Sequence, residues 1–85
     1  MKITVTQDHI NKGYRFNTDR CPIALAVREK FPNATVSVTN QDIHVKKWFL
    51  RRYNLPKEAI HFVYDFDNRL SVQPIEFEAK RKFFT

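Results

Sequence analysis

Residues 42–53 read Asp42-Ile43-His44-Val45-Lys46-Lys47-Trp48-Phe49-Leu50-Arg51-Arg52-Tyr53. Ile43 and Val45 alternate with His44 and Lys46, the period-two pattern of a half-buried strand. Just upstream, Thr35-Val36-Ser37-Val38-Thr39 alternates in the same way, and Asn40-Gln41 forms a short polar joint. Two such runs across a joint predict an antiparallel hairpin, with a register free to slip by a residue or two because the joint lacks the Asn-Gly pair. Past Val45 the parity breaks. Continuing the Ile43, Val45 face would bury Lys47 and then Phe49, whereas the other face gathers His44, Lys46, Trp48 and Leu50. Either a bulge near Lys46-Lys47 switches faces or both faces are partly covered. A helix with Val45, Trp48, Phe49 and Tyr53 on one stripe is the competing reading, but the hairpin partner and the aromatic content favour strand.

Working outward, residues 2–6 alternate Ile3 and Val5 with Lys2, Thr4 and Thr6 and predict a strand. A short helical turn follows at about residues 8–12 and ends at Gly13, the sole glycine, whose access to positive φ suits the turn. Residues 14–20 are a polar loop with two aromatics. Cys21-Pro22-Ile23-Ala24-Leu25-Ala26-Val27-Arg28-Glu29-Lys30-Phe31-Pro32 is the clearest helix, since proline near its start fixes φ, Ile23, Ala26, Val27, Lys30 and Phe31 share one side, and Pro32 stops it. Downstream of the central stretch, Asn54-Leu55-Pro56-Lys57-Glu58 opens a second long helix with Ala59, Ile60, Phe62, Val63 and Phe66 on its apolar side, closed by the turn-forming run at residues 65–69. Leu70, Val72, Ile75, Phe77 and Ala79 give a last β-type segment interrupted at Pro74, followed by a basic-aromatic tail at residues 80–85. The fold class is therefore α+β, in βαββαβ order. That order matches a ferredoxin-like plan, in which two helices cover one face of an antiparallel sheet and leave the other open for binding.

With 85 residues, one domain spanning residues 1–85 is expected, because two cores would each be too small to fold unaided. Eight Phe and one Gly mark a chain that packs. The net charge of +6 is unevenly spread. Residues 58–78 carry Glu58, Asp65, Asp67, Glu76 and Glu78 against Arg69 alone, while residues 46–52 and 80–82 hold seven of the fifteen Lys and Arg. A basic face is expected there, fit for phosphate-rich or acidic partners. The start of the chain lacks the apolar run of a signal peptide, no segment is long enough to span a membrane, and the single Cys21 suits a reducing compartment, so the cytoplasm is the expected location.

Lys46, Lys47, Trp48, Arg51 and Arg52, with Phe49 and Tyr53 and the tail cations Lys80, Arg81 and Lys82, are the candidate partner-binding residues. Cations along a groove with aromatics that stack on bases are the chemistry of single-stranded nucleic-acid binding. The RNA-recognition signature needs a glycine that this stretch lacks. The plainer alternative is a charged edge strand whose lysines block aggregation and whose aromatics turn into the core. His9, His44, His61 and Cys21 have no metal-ligand spacing, and no cofactor motif is present. Cys21, at a helix start, is a candidate anion or thiol site, because a helix N-terminus favours a thiolate and can receive an anion. Its plainer role is a small buried cap. Asp65 and Asp67 lack the glycine and distal glutamate of a calcium loop and fit helix-end turn formation better. Glu76 and Glu78 would share a strand face and are expected to pair with the central lysines rather than act as acid and base. No nucleophile motif or glycine-rich phosphate loop occurs, so a non-enzymatic module binding an acidic protein or nucleic acid, as monomer or homodimer, is the expectation.

Three separated pieces carry a resemblance: Val5-Thr6-Gln7-Asp8-His9-Ile10 with Gly13, then Cys21-Pro22-Ile23-Ala24-Leu25-Ala26, then Leu55-Pro56-Lys57-Glu58-Ala59 leading to Phe62, Phe66-Asp67, Val72, Pro74 and Phe77-Glu78. The chain resembles a group of short proteins encoded by bacteriophages and some bacteria, in which an opening strand, a Cys-Pro-Ile-Ala-Leu-Ala-like helix and a Phe-Asp…Val-x-Pro ending recur. The resemblance implies no activity. It implies an accessory protein that engages a host or viral macromolecule in the host cytoplasm. The central basic stretch lies outside it.

Overall fold

A computed structural model describes residues 1–82. In chain order the elements are β1 (Lys2–Val5), α1 (Gln7–Lys12), α2 (Pro22–Lys30), β2 (Thr35–Val38), β3 (Asp42–Lys46), β4 (Leu50–Asn54), α3 (Lys57–Asp67) and β5 (Ile75–Glu78). The domain is α+β, with a two-stranded antiparallel sheet β1-β5 and a three-stranded antiparallel sheet β2-β3-β4. The order βαββαβ is thus extended by α1 and by β4. The second edge of β3 goes to β4 and not to β1, so the first strand does not enter the central sheet as a ferredoxin-like plan requires.

The physical reason lies in residues 46–50. Lys46 and Leu50 are paired across β3 and β4, which leaves Lys47, Trp48 and Phe49 as a three-residue hairpin loop. The parity break is therefore a second chain reversal, not a bulge in one long strand. None of the three loop residues has positive φ, so the turn forms without the left-handed residue that usually demands glycine.

The two sheets are tied together by their shared cover and by the chain's last described residues. Helix α2 packs on both β1 and β2, burying Ile23, Ala24, Ala26 and Val27 against Ile3, Val5, Val36 and Val38. Burying each of these Ile and Val side chains contributes about 1.5–3 kcal/mol. Helix α3 packs on β5 with Ala59, Phe62 and Phe66, and the Phe62 and Phe66 rings lie parallel one helical turn apart, 6.3 Å between centroids. Beyond β5 the chain runs along the free edge of β4: the Asn54 N–H donates to the Lys80 carbonyl, the Lys82 N–H donates to the Arg52 carbonyl, and Tyr53 bridges Arg81. Lys80, Arg81 and Lys82 are thus fixed to the sheet edge. Phe83 and Phe84, the aromatic part of the expected tail, lie outside the described residues.

The caps explain the helix boundaries. Thr6 caps α1, with its hydroxyl accepting from the His9 N–H while the His9 Nδ1 accepts from the Thr6 N–H. That second bond fixes the lone pair on Nδ1, so the His9 Nε2 is the protonated nitrogen that donates to Glu29 Oε1 at 2.9 Å. Gly13 ends α1, but at φ −72 rather than in the left-handed region. Its role is steric: a Cβ there would stand 2.6 Å from the Cδ and Cγ atoms of Pro22. Asn33 takes φ 69 immediately after Pro32, a conformation asparagine tolerates, and turns the chain from α2 back into β2.

Candidate functional site

Cross-strand pairing sorts the central side chains onto two faces. Val36, Val45 and Arg51 form one row, and Val38, Ile43 and Tyr53 the next on the same face, which is the core face. Ser37, His44 and Arg52 form a row on the opposite face, beside Thr35, Lys46 and Leu50. Core-face positions are buried except Arg51, and those of the opposite face are exposed or half-buried. The four central cations therefore do not share one face. Lys46 and Arg52 belong to the open face of the sheet, Arg51 to the end of the core face, and Lys47 to the loop between them.

Trp48 and Phe49 at the loop tip are 82% and 76% exposed. The structure thus departs from the aromatics-inward arrangement of a plain charged edge: only Tyr53 of the three aromatics turns into the core, where its ring lies 6.5 Å from that of Phe31. Between the loop tip and the α2–β2 corner lies a cavity of about 190 Å3. Phe31, Pro32 and Val45 give it an apolar interior, Trp48 and Phe49 close its loop side, and Lys30, Lys47 and Arg51 supply cations. Among the described residues no acidic side chain lines it. Lys30 was hidden from sequence reading because it belongs to the helix pattern. The Pro32 stop and the Asn33 turn, together with the packing of α2 on the sheet, bring it opposite the hairpin.

The open face has its own electrostatic anchor at Asp42. Its Oδ1 accepts from the Thr39 hydroxyl at 2.8 Å and lies 2.9 Å from the His44 Nε2, while its Oδ2 takes the Lys82 ammonium at 3.1 Å. Partial burial pushes the Asp42 carboxyl up, but the Thr39 hydroxyl, the Lys82 ammonium and the neighbouring His44 outweigh it and hold the group below the ordinary aspartate value. Of the tail cations, Lys82 is thus committed to an ion pair, whereas Lys46 and Lys47 have exposed side chains on and beside the loop.

Cys21 is 5% exposed and caps α2, its Sγ accepting the Ala24 N–H at 3.4 Å. Burial pushes the thiol above its ordinary value, opposed by the backbone N–H groups at the helix start. The lowering expected from the helix N-terminus is therefore overturned by desolvation, and the residue is a cap. Glu76 and Glu78 do not meet the central lysines. Because β5 pairs with β1, Glu76 takes Thr4 Oγ1 at 2.9 Å and Lys2 Nζ at 3.4 Å, and Glu78 takes the N-terminal ammonium. Among the described residues no three His, Cys, Asp or Glu side chains form a metal-ligand set, and no helix is long and apolar enough to cross a membrane.

One further arrangement joins the loop before α2 to the end of α3 and has no local sequence signal. Phe16 is 78% exposed at φ 54, and its N–H donates to the Asp67 Oδ1 at 3.0 Å. Arg15 clamps the same loop by donating to the Phe66 carbonyl at 3.2 Å, with its guanidinium 5.3 Å from the Phe66 ring centre. Nothing in local sequence predicts a left-handed phenylalanine. The turn composition at residues 65–69 signalled only that Asp67 would be near a helix end.

Comparison with protein-family models, with curated proteins and with solved structures finds no match to this chain.

Proposed function

We propose that this chain is a non-enzymatic binding module that engages an acidic macromolecule through the β3–β4 hairpin tip and the cations around it. The exposure of Trp48 carries the reading. A tryptophan 82% exposed beside Phe49, itself 76% exposed, is the kind of exposed apolar pair that marks an interaction surface. Lys46, Lys47, Arg51 and Arg52 surround it in sequence, and Lys30 joins them across the cavity. Such a cluster attracts anions and raises the rate of encounter with them. The resemblance to short bacteriophage and bacterial proteins fits an accessory role of this type, exercised in the cytoplasm of a host cell.

A chain of net charge +6 binds polyanions to some extent wherever its charges lie, so the test must hold net charge constant. One variant changes Lys46, Lys47, Arg51 and Arg52 to Gln; a control changes Lys2, Lys12, Arg20 and Lys57 to Gln. Elution of each from immobilised heparin is measured against salt, after circular dichroism has established that both are folded. The hairpin variant is expected to elute at much lower salt than the control. Equal losses in the two variants would reduce the binding to bulk charge and overturn the proposal.

A further inference from the structure

We infer that the acidic macromolecule is a single-stranded nucleic acid, one base of which enters the slot between the hairpin tip and the Phe31-Pro32 corner while neighbouring phosphates meet Lys30, Lys47 and Arg51. This deepens the binding reading above and rests on it.

Size gives the first argument. At about 190 Å3 the slot falls below the roughly 300 Å3 at which pockets for drug-sized ligands begin, so it suits one flat ring system rather than a folded peptide segment. Chemistry gives the second. The lining combines apolar and aromatic side chains with three cations, and among the described residues no carboxylate lines it. A ligand matched to that plan carries a planar, weakly polar group and a negative charge in every repeat. A single nucleic-acid strand does so, with a base and a phosphate per nucleotide. An acidic peptide supplies the charge without the ring, and a duplex keeps its rings stacked inside.

The surroundings extend the match. Trp48 borders the slot while leaving most of its ring in water, which offers a surface for a neighbouring base, and stacking on such a surface tolerates any base because every base has a π-face. From the tip, Lys46 and Arg52 continue the positive track across the open face, with the hydroxyls of Thr35 and Ser37 in the same cross-strand rows as hydrogen-bond donors for phosphate or sugar oxygens. The track ends at Asp42, whose carboxylate is already paired with the Lys82 ammonium and lies 2.9 Å from the His44 Nε2. The expected footprint is therefore a few nucleotides.

The test uses the full chain with a short labelled oligothymidylate, the same sequence annealed to its complement, and polyglutamate of similar charge, all at matched salt. The single strand is expected to bind about tenfold or more tighter than either competitor and to quench Trp48 fluorescence, because base stacking contributes that much per base. Ala34 also lines the slot, so Ala34→Leu, which fills it without touching charge, should weaken oligothymidylate binding about tenfold while leaving hairpin-dependent heparin retention unchanged. Lys30→Gln, an exposed change that does not threaten folding, should lower the salt slope of oligothymidylate binding by about 0.7. Equal affinity for duplex or polyglutamate, or unaltered oligothymidylate binding in both variants, would overturn the inference. If hairpin-dependent heparin retention persists under those results, the binding module stands and only the nucleic-acid assignment falls. Loss of both removes both.

Discussion

Lys46 and Leu50 face each other as the last pair of the β3–β4 ladder, and that single pairing places Trp48 outside both strands. The indole is consequently in water and carries almost no folding free energy. Trp48→Ala should change stability by no more than about 0.5 kcal/mol, as for surface positions generally. Phe62→Ala, at a buried α3 position stacked on Phe66, should cost about 3–5 kcal/mol. Urea midpoints of the two variants separate these cases. Emission of the sole tryptophan in the native protein should sit at the wavelength of free indole in water and respond fully to acrylamide.

Gly13 and Pro22 touch, with no room for a Cβ between them. Gly13 already has φ −72, so alanine meets no backbone strain there and would gain about 0.4–1 kcal/mol through the unfolded chain. The neighbour is a rigid ring fused to the backbone of the α2 start, so overpacking of about 1–3 kcal/mol should win. Gly13→Ala is expected to be destabilising by about 1 kcal/mol or more. In a Pro22→Ala background the ring atoms are gone but the backbone nitrogen of residue 22, 2.7 Å from that Cβ, remains, so the loss should shrink without vanishing, which a double-mutant cycle by urea unfolding measures directly.

Asp42 is lowered in the folded state relative to the unfolded chain. A depressed carboxyl contributes stability that is fully present above its unfolded value of about 3.9 and is lost as pH falls through the folded value. Asp42→Asn should therefore be less stable than the parent at pH 7, by about 1 kcal/mol for weakened charge-assisted hydrogen bonds. The gap should narrow below about pH 4 and close once the carboxyl is protonated in both states. Chemical denaturation at a series of pH values checks the sign.

Cys21 is buried, with its thiol raised and its sulfur capping α2. Labelling requires the thiolate, so modification by a disulfide reagent at pH 8 should be slow in the native protein and rapid in denaturing urea. Equal rates in the two conditions would contradict the buried cap.

The strands, the two long helices and their proline-set boundaries were legible because their signals are local: alternation at residues 2–5, 35–38 and 42–46, and Pro22 and Pro32 around an apolar helical face. The second hairpin was not legible. Its loop contains no Gly, Asn or Asp, so the reversal left only a broken parity, which a bulge explains equally well. The slot was hidden for a different reason, since Lys30 and Phe31 are brought to Lys47 and Arg51 only by long-range packing of α2 on the sheet. The same holds for the salt-bridge partners of Glu76 and Glu78, which depend on β1 pairing with β5 and not on the central stretch.

The most direct measurement is a nitrogen-15 NMR titration of the whole chain with oligothymidylate, in which the sole tryptophan gives one indole N–H signal. This signal is expected to move first, together with the amides of residues 46–52 and 30–34, while those of Lys2, Lys12 and Lys57 stay in place. Movement spread evenly over Lys2, Lys12 and Lys57, with the Trp48 indole unmoved, would contradict single-strand binding at the hairpin tip.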